Sequence, residues 1–278
     1  MSFLNKREDG TQKEKRAVFK YFEIIFSKAW TLIKLNLIYF LCILPLFCGA
    51  LYFICGIFSV SPELIQEFYF LHLSLWLTAN IPFPILLVLV VVSAFFYGPV
   101  TAGFTYCIRN IATEKHLWIS DFFAQVKANF RQGFVFGLAD IIVFLSCMLY
   151  LAANPGSLEG VNLISVRIAQ IVSLIITIVY IWVRFYSYTI AVTFDLKIKD
   201  IFKNSLIFCV LGFFRNIIAT LVSGFIIFTF ISTDRVDIVL IIALIFALCR
   251  FTSVFSTYPI VDKYIMKKAT EETQKNQD

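Results

Sequence analysis

"PILLVLVVVSAFFYGPVTAGFTYCIRN", Pro84 to Asn110, carries no charge before Arg109. Its second half holds Gly98, Pro99, Ala102 and Gly103, which in a water-soluble protein would read as a loop beside a site. Its first half reads as hydrocarbon, and a helix that crosses a bilayer needs about 20 mostly apolar residues. The rest of the chain decides between the two. Further charge-free runs lie at Leu35 to Val60, Ile168 to Val183, Asn216 to Thr233 and Ile238 to Cys249. Of the 278 residues 60% are hydrophobic and 15% charged, and mean hydropathy is +0.84. A soluble domain carries about 25% charged residues, so this chain lacks the polar surface to cover one. The expectation is an all-α polytopic membrane protein. Pro99 then sits inside a span, where a kink is tolerated, and Gly98 and Gly103 let a neighbouring helix approach closely.

Six crossings fit, at about 35–58, 84–108, 133–153, 167–192, 208–232 and 237–261. They form a single membrane domain over 22–264, between a basic N-terminal tail (1–21) and a polar C-terminal tail (265–278). The apolar run after Lys34 is too long for a signal-peptide core and is read as the first span. With both termini in the cytoplasm, nineteen of the 24 lysines and arginines fall on the cytoplasmic side, as the positive-inside rule requires. Phe68 to Ala79, "FYFLHLSLWLTA", is short for a crossing and is read as an outer interfacial helix.

Three stretches lead into the first, third and fifth spans: Phe22 to Asn36, Ile119 to Gly133 and Ile198 to Asn216. In the second, Ile119, Phe122, Phe123, Val126 and Phe130 share a helical face opposite Asp121, Gln125, Lys127 and Asn129. These read as cytoplasmic amphipathic helices, each opening a hairpin of spans. Either the chain is a threefold repeat, or any helix entering a membrane from the cytoplasm looks this way; the residues leave both open.

Charges within the spans are the informative ones: Asp140, Arg184 and Arg250, with Arg215 near an edge. Each Asp or Arg at a helix centre costs roughly 2.5–3.5 kcal/mol. Asp140 and Arg184 lie at a similar depth, roughly 10–12 Å from the cytoplasmic end at 1.5 Å per residue, so they are expected to pair. Arg250 lies near the middle of the last span. Two readings compete: a structural pair with Arg250 bonded to carbonyls or hydroxyls, or an arginine-lined cavity that holds an anionic group. "GFVFG", Gly133 to Gly137, is a small-xxx-small motif expected to pack within the bundle. The tail from Met1 to Lys20 serves topology, or touches anionic lipid.

Seven cysteines lie in apolar segments with no metal-type spacing, and His72 and His116 are isolated. The expectation is no disulfide framework, no metal and no cofactor. No P-loop and no acid/base or nucleophile grouping points to an enzyme, and no nucleic-acid partner is expected.

The order "GPVTAGFTYCIRN", "DFFAQVKANFRQG", "FDLKIKDIFKNSL", with the opening helix "LNLIYFLCILPL", resembles the YesL-like family of bacterial integral membrane proteins. The resemblance covers Phe22 to Tyr264; Tyr188 and Thr189 stand where that family often has a proline, and the charged N-terminal tail is longer. It implies a multi-pass protein of the bacterial plasma membrane without established activity, accessory to carbohydrate uptake through an ABC transporter's permease subunits. The docking face is then cytoplasmic: Arg109, Asp121, Phe122, Phe123, Lys127 and Arg131, with Lys199 and Lys203. The alternative is a small permease-like protein that binds an anionic ligand or lipid head group at Asp140, Arg184, Arg215 and Arg250.

Overall fold

A computed structural model describes residues 17–57, 79–152, 163–232 and 244–266. The described residues form helices α1 (Ala17–Ser27), α2 (Ala29–Ile57), α3 (Phe83–Ala112), α4 (Ile119–Ala128), α5 (Phe130–Ala152), α6 (Leu163–Ala191), α7 (Ile198–Leu211), α8 (Phe213–Ser232) and α9 (Phe246–Val261). A π-helical turn, Asp262–Met266, continues α9. Four helices, α2, α3, α5 and α6, are each long and apolar enough to cross a membrane, and the bent pair α7–α8 makes up to a fifth. This is a helical membrane protein. The outer interfacial helix expected at Phe68–Ala79 lies, apart from Ala79, outside the described residues, as does the start of the last span.

Two expected boundaries change. The fifth span does not run straight through 208–232, because α7 and α8 meet at 88°. The helix breaks at Gly212, so Phe208 to Leu211 belong to the amphipathic arm. Ala17 to Tyr21, inside the stretch expected as tail, are already helical.

One backbone device recurs three times. Lys28 separates α1 from α2, Asn129 separates α4 from α5, and Gly212 separates α7 from α8. At each break the residue's N–H donates four positions back and its carbonyl accepts from four positions ahead. The bonds run from Lys28 to Ile24 and Leu32 to Lys28, from Asn129 to Gln125 and Gly133 to Asn129, and from Gly212 to Phe208 and Asn216 to Gly212, at 2.8–3.0 Å. Short arm, break, long helix and returning helix thus repeat through the chain. The returning helices α3, α6 and α9 pack on one another at the centre. Around them α2 lies against α3 and α9, and α5 against α3 and α6. α8 lies against α9 and reaches α6 through Trp182 Nε1, which donates to Thr220. Each arm packs on the returning helix before it in the cycle. α4 lies on α3 and α7 on α6, and α1 meets α9 where Tyr21 and Thr252 share a hydroxyl bond of 2.7 Å. Equivalent arm residues go to the core: Ile24 is 3% exposed, and Phe122 and Ile201 are 0% exposed.

Between α3 and α5 the packing leaves no room for a side chain. A Cβ on Gly137 would lie 2.5 Å from the Gly98 Cα, and one on Gly133 would lie 2.7 Å from the Pro99 Cα. A Cβ on Gly103 would meet Val126 Cγ2 at 2.6 Å and the Phe122 carbonyl at 2.8 Å, so α4 is seated on the same ridge. All five small residues expected at helix contacts therefore serve inside the bundle. In hydrocarbon there is no hydrophobic gain from joining two helices, so contact of this closeness carries the association. Backbone cannot yield as a flexible side chain can. Gly137→Ala is expected to lower stability by about 1–3 kcal/mol. Gly224, with nothing within 4 Å of an added Cβ, is the control: Gly224→Ala should be neutral or stabilising by up to about 1 kcal/mol through helix propensity. Thermal unfolding of the two variants in detergent micelles measures the contrast.

Candidate buried polar site between the returning helices

α6 carries Tyr180, Arg184 and Tyr188 at i, i+4 and i+8, which places them on one face of a helix. α3 carries Tyr97, Thr101 and Thr105 at the same spacing. These two polar stripes face each other, and α5 brings Asp140 to them. Asp140 is 1% exposed. Its Oδ1 accepts from the Tyr180 hydroxyl at 2.8 Å. Its Oδ2 accepts from Arg184 Nε at 2.7 Å and from the Tyr188 hydroxyl at 2.9 Å. Arg184 Nη2 donates to the Tyr97 hydroxyl at 2.7 Å, which ties α6 to α3. The expected Asp140–Arg184 pair is formed.

Arg250 joins the cluster from α9. Its guanidinium lies 5.3 Å from the centre of the Tyr188 ring, and that of Arg184 lies at 5.3 Å from the same ring. Arg250 Nε donates to the Thr105 hydroxyl at 2.9 Å, which itself donates to the Thr101 carbonyl at 2.7 Å. Arg250 Nη2 is buried and has no hydrogen-bond partner among the described residues. The cluster therefore sets two guanidiniums against one carboxylate.

The motif Arg-Phe-x-Ser occurs at Arg184–Ser187 and again at Arg250–Ser253. In both, the serine hydroxyl donates to the arginine carbonyl, at 3.4 Å in α6 and 2.8 Å in α9. Phe185 and Phe251 are both buried. Two returning helices thus present an arginine to the centre by the same local geometry.

Arg215 does not belong to this cluster. It is exposed at the α7–α8 elbow, where its Nη1 makes a long 3.4 Å contact to the Ser256 carbonyl. The docking face also changes. Arg109 is 8% exposed; its Nη1 donates to the Val192 carbonyl at 2.8 Å and to Thr193 at 3.1 Å. It joins the ends of α3 and α6 and has no free face. Phe122, 0% exposed, is the anchor of α4 in the core. Asp121 accepts from the Trp118 N–H at 2.9 Å and caps its own helix. Phe123, Lys127, Arg131, Lys199 and Lys203 remain exposed.

Sequence reasoning missed Tyr97, Tyr180, Tyr188 and Thr105. The available signal was the four-residue spacing of polar groups on otherwise apolar helices. It also missed Gly212, where an added Cβ would run into the Tyr186 hydroxyl; that hydroxyl donates to Asn216 Oδ1 at 2.9 Å. Among the described residues no group of His, Cys, Asp and Glu is arranged to hold a metal. Comparison of the chain with family models, with curated proteins and with solved structures finds no match.

Removing one partner of a buried pair costs about 3–5 kcal/mol, because the other charge stays buried. Asp140→Asn leaves two guanidiniums around Tyr188 and should be the more damaging single change. Arg184→Gln leaves Asp140 with two tyrosine donors and Arg250 close by. The double variant Asp140→Asn/Arg184→Gln should be more stable than the sum of the singles requires. A double-mutant cycle of melting temperatures in detergent reads the coupling; strict additivity would mean that the pair does not act as a unit.

Proposed function

We propose that this chain is a non-enzymatic, permease-like membrane protein that takes up an anionic group at Arg250. It has six crossings, with both termini in the cytoplasm of a bacterial cell. The placement of nineteen of 24 lysines and arginines in the inner segments supports that orientation. The three repeats of arm, long helix and returning helix support six crossings. One observation carries the binding reading: a guanidinium 7% exposed, with a buried Nη2 that has no partner among the described residues, beside a carboxylate already held by Arg184. Such a charge is expensive to keep in a membrane protein and is a functional site by default. A carboxylate or phosphate oxygen supplies both the missing acceptor and the missing charge.

The site is closed around Arg250, so the anion enters when α9 shifts against α3 and α6. α9 has the means for it: Pro259 lies within it and π-helical turns lie at both its ends, features that loosen the backbone ladder. The accessory role in carbohydrate uptake, implied by the YesL-like resemblance, keeps Phe123, Lys127, Arg131, Lys199 and Lys203 as its docking face. With Arg109 and Phe122 buried, the geometry supports it less.

The test is thermal unfolding of the purified protein in detergent with inorganic phosphate, citrate, gluconate or glucose 6-phosphate, and with uncharged glucose as the control. At least one anion should raise the melting temperature of the wild type, the shift corresponding to about 2.7 kcal/mol of stabilisation when the anion is present at a hundred times its Kd. Arg250→Met should melt at or above the wild-type temperature without ligand and lose the anion response. No response in the wild type, together with a lower melting temperature for Arg250→Met, would make Arg250 a structural peg.

A further inference from the structure

We propose that the elbow between α7 and α8 binds the phosphate head group of an anionic phospholipid. The elbow turns through 88°, from an amphipathic arm to an apolar helix, and such a turn belongs at the boundary of hydrocarbon and water. It cannot straighten or fill in, because the Tyr186 hydroxyl occupies the space beside Gly212 and holds Asn216 one turn into α8. Against the end of α9 the elbow leaves a cleft of about 320 Å³. That is at the small end of the roughly 300–1,000 Å³ of ligand sites; it admits a head group and excludes the rest of a lipid.

The chemistry of the walls selects the ligand. Arg215 comes from α8 and Lys263 from the turn after α9, with Tyr264 beside it, and none of the described residues lining the cleft is acidic. Arg215 is held in place by its backbone, whose carbonyl accepts from the Ser256 hydroxyl at 3.0 Å. Among the described residues its guanidinium makes only the long contact to the Ser256 carbonyl, so its fork remains open to a phosphate. Phe214, 79% exposed, lines the cleft together with Leu211 and gives acyl chains an apolar wall. A zwitterionic lipid has the phosphate but would bring its own cation against Arg215 and Lys263; an anionic lipid does not. The site is separate from Arg250, since Arg215 is exposed and Arg250 is buried at the centre.

Delipidated protein in detergent is titrated with dioleoyl phosphatidylglycerol or dioleoyl phosphatidylcholine, and bound lipid is counted by native mass spectrometry. Phosphatidylglycerol should bind the wild type in preference to phosphatidylcholine. Arg215→Gln/Lys263→Gln should weaken it about twenty-five-fold, at about fivefold for each cation. Lys263→Gln alone, at an exposed position beyond α9, should weaken it about fivefold and covers the case in which the double variant does not fold. Lys115→Gln, an exposed charge away from the elbow, should leave binding unchanged. Equal binding of the two lipids, undiminished phosphatidylglycerol binding by the Lys263→Gln variant, or full displacement by millimolar inorganic phosphate would each overturn the proposal.

Discussion

The approach of Gly98 to Gly133 and Gly137 is the contact on which the rest of the centre depends. Helices in a bilayer gain nothing by leaving lipid for one another unless their backbones come close enough for dense packing. Here they are close enough that no Cβ fits on any of the three glycines. Gly133, Gly137 and Asp140 follow one another at i, i+4 and i+7, so the face of α5 that touches α3 also carries the carboxylate inward. Tyr97, next to Gly98, is brought within reach of Arg184 by the same contact. Without the glycines, Asp140 would stand away from α6 and its three donors.

The three-part arrangement explains why the buried polar groups lie where they do. Each returning helix is covered by its own hairpin partner, by the long helix of the next repeat and by the arm that opens that repeat. The segments so covered are 98–111 of α3, 183–191 of α6 and 247–261 of α9. Outside those segments α3 and α6 present apolar residues that the other described residues leave exposed, such as Val88 (60%) and Ile175 (55%). Hydroxyls at Thr101, Thr105, Thr189, Ser253 and Thr257 each donate to a carbonyl of their own helix, three or four residues back. That satisfies them inside a membrane without another chain.

Much of this was legible in the residues, and the part that was not has a physical reason. Long charge-free runs specify membrane helices because composition alone decides partition into hydrocarbon. Gly98, Pro99, Gly103, Gly133 and Gly137 were legible as contact points because small residues have few other uses in a span. Matched depth led to the Asp140–Arg184 pair. The need for a glycine at 212 was not legible, since the group that leaves no room for a Cβ there is the Tyr186 hydroxyl on another helix, a tertiary contact without a local mark. Arg109 and Phe122 were misread for a related reason. A charge and an aromatic ring at the end of a span look alike whether they face the cytoplasm or a neighbouring arm, and only the packing of α4 on α3 and of α3 on α6 decides.

Arg109 and Arg250 are both buried at helix contacts, and the bundle accommodates them differently. Both are buried guanidiniums, and among the described residues neither is paired with a carboxylate. Arg109 nevertheless spreads its donors over the Val192 carbonyl, the Thr193 hydroxyl and Asn110 Oδ1, the last from both Nε and Nη2, and stacks on Tyr106 at 4.6 Å. This is how a buried arginine is accommodated when its role is to join two helices: acceptors are supplied on every side. Among the described residues Arg250 has one hydroxyl acceptor and one ring, and its buried Nη2 has no acceptor. The same bundle satisfies one arginine almost fully and leaves the other open. The structural explanation therefore covers Arg109, whereas at Arg250 one buried donor has no acceptor among the described residues, and the proposed anion site rests on that difference.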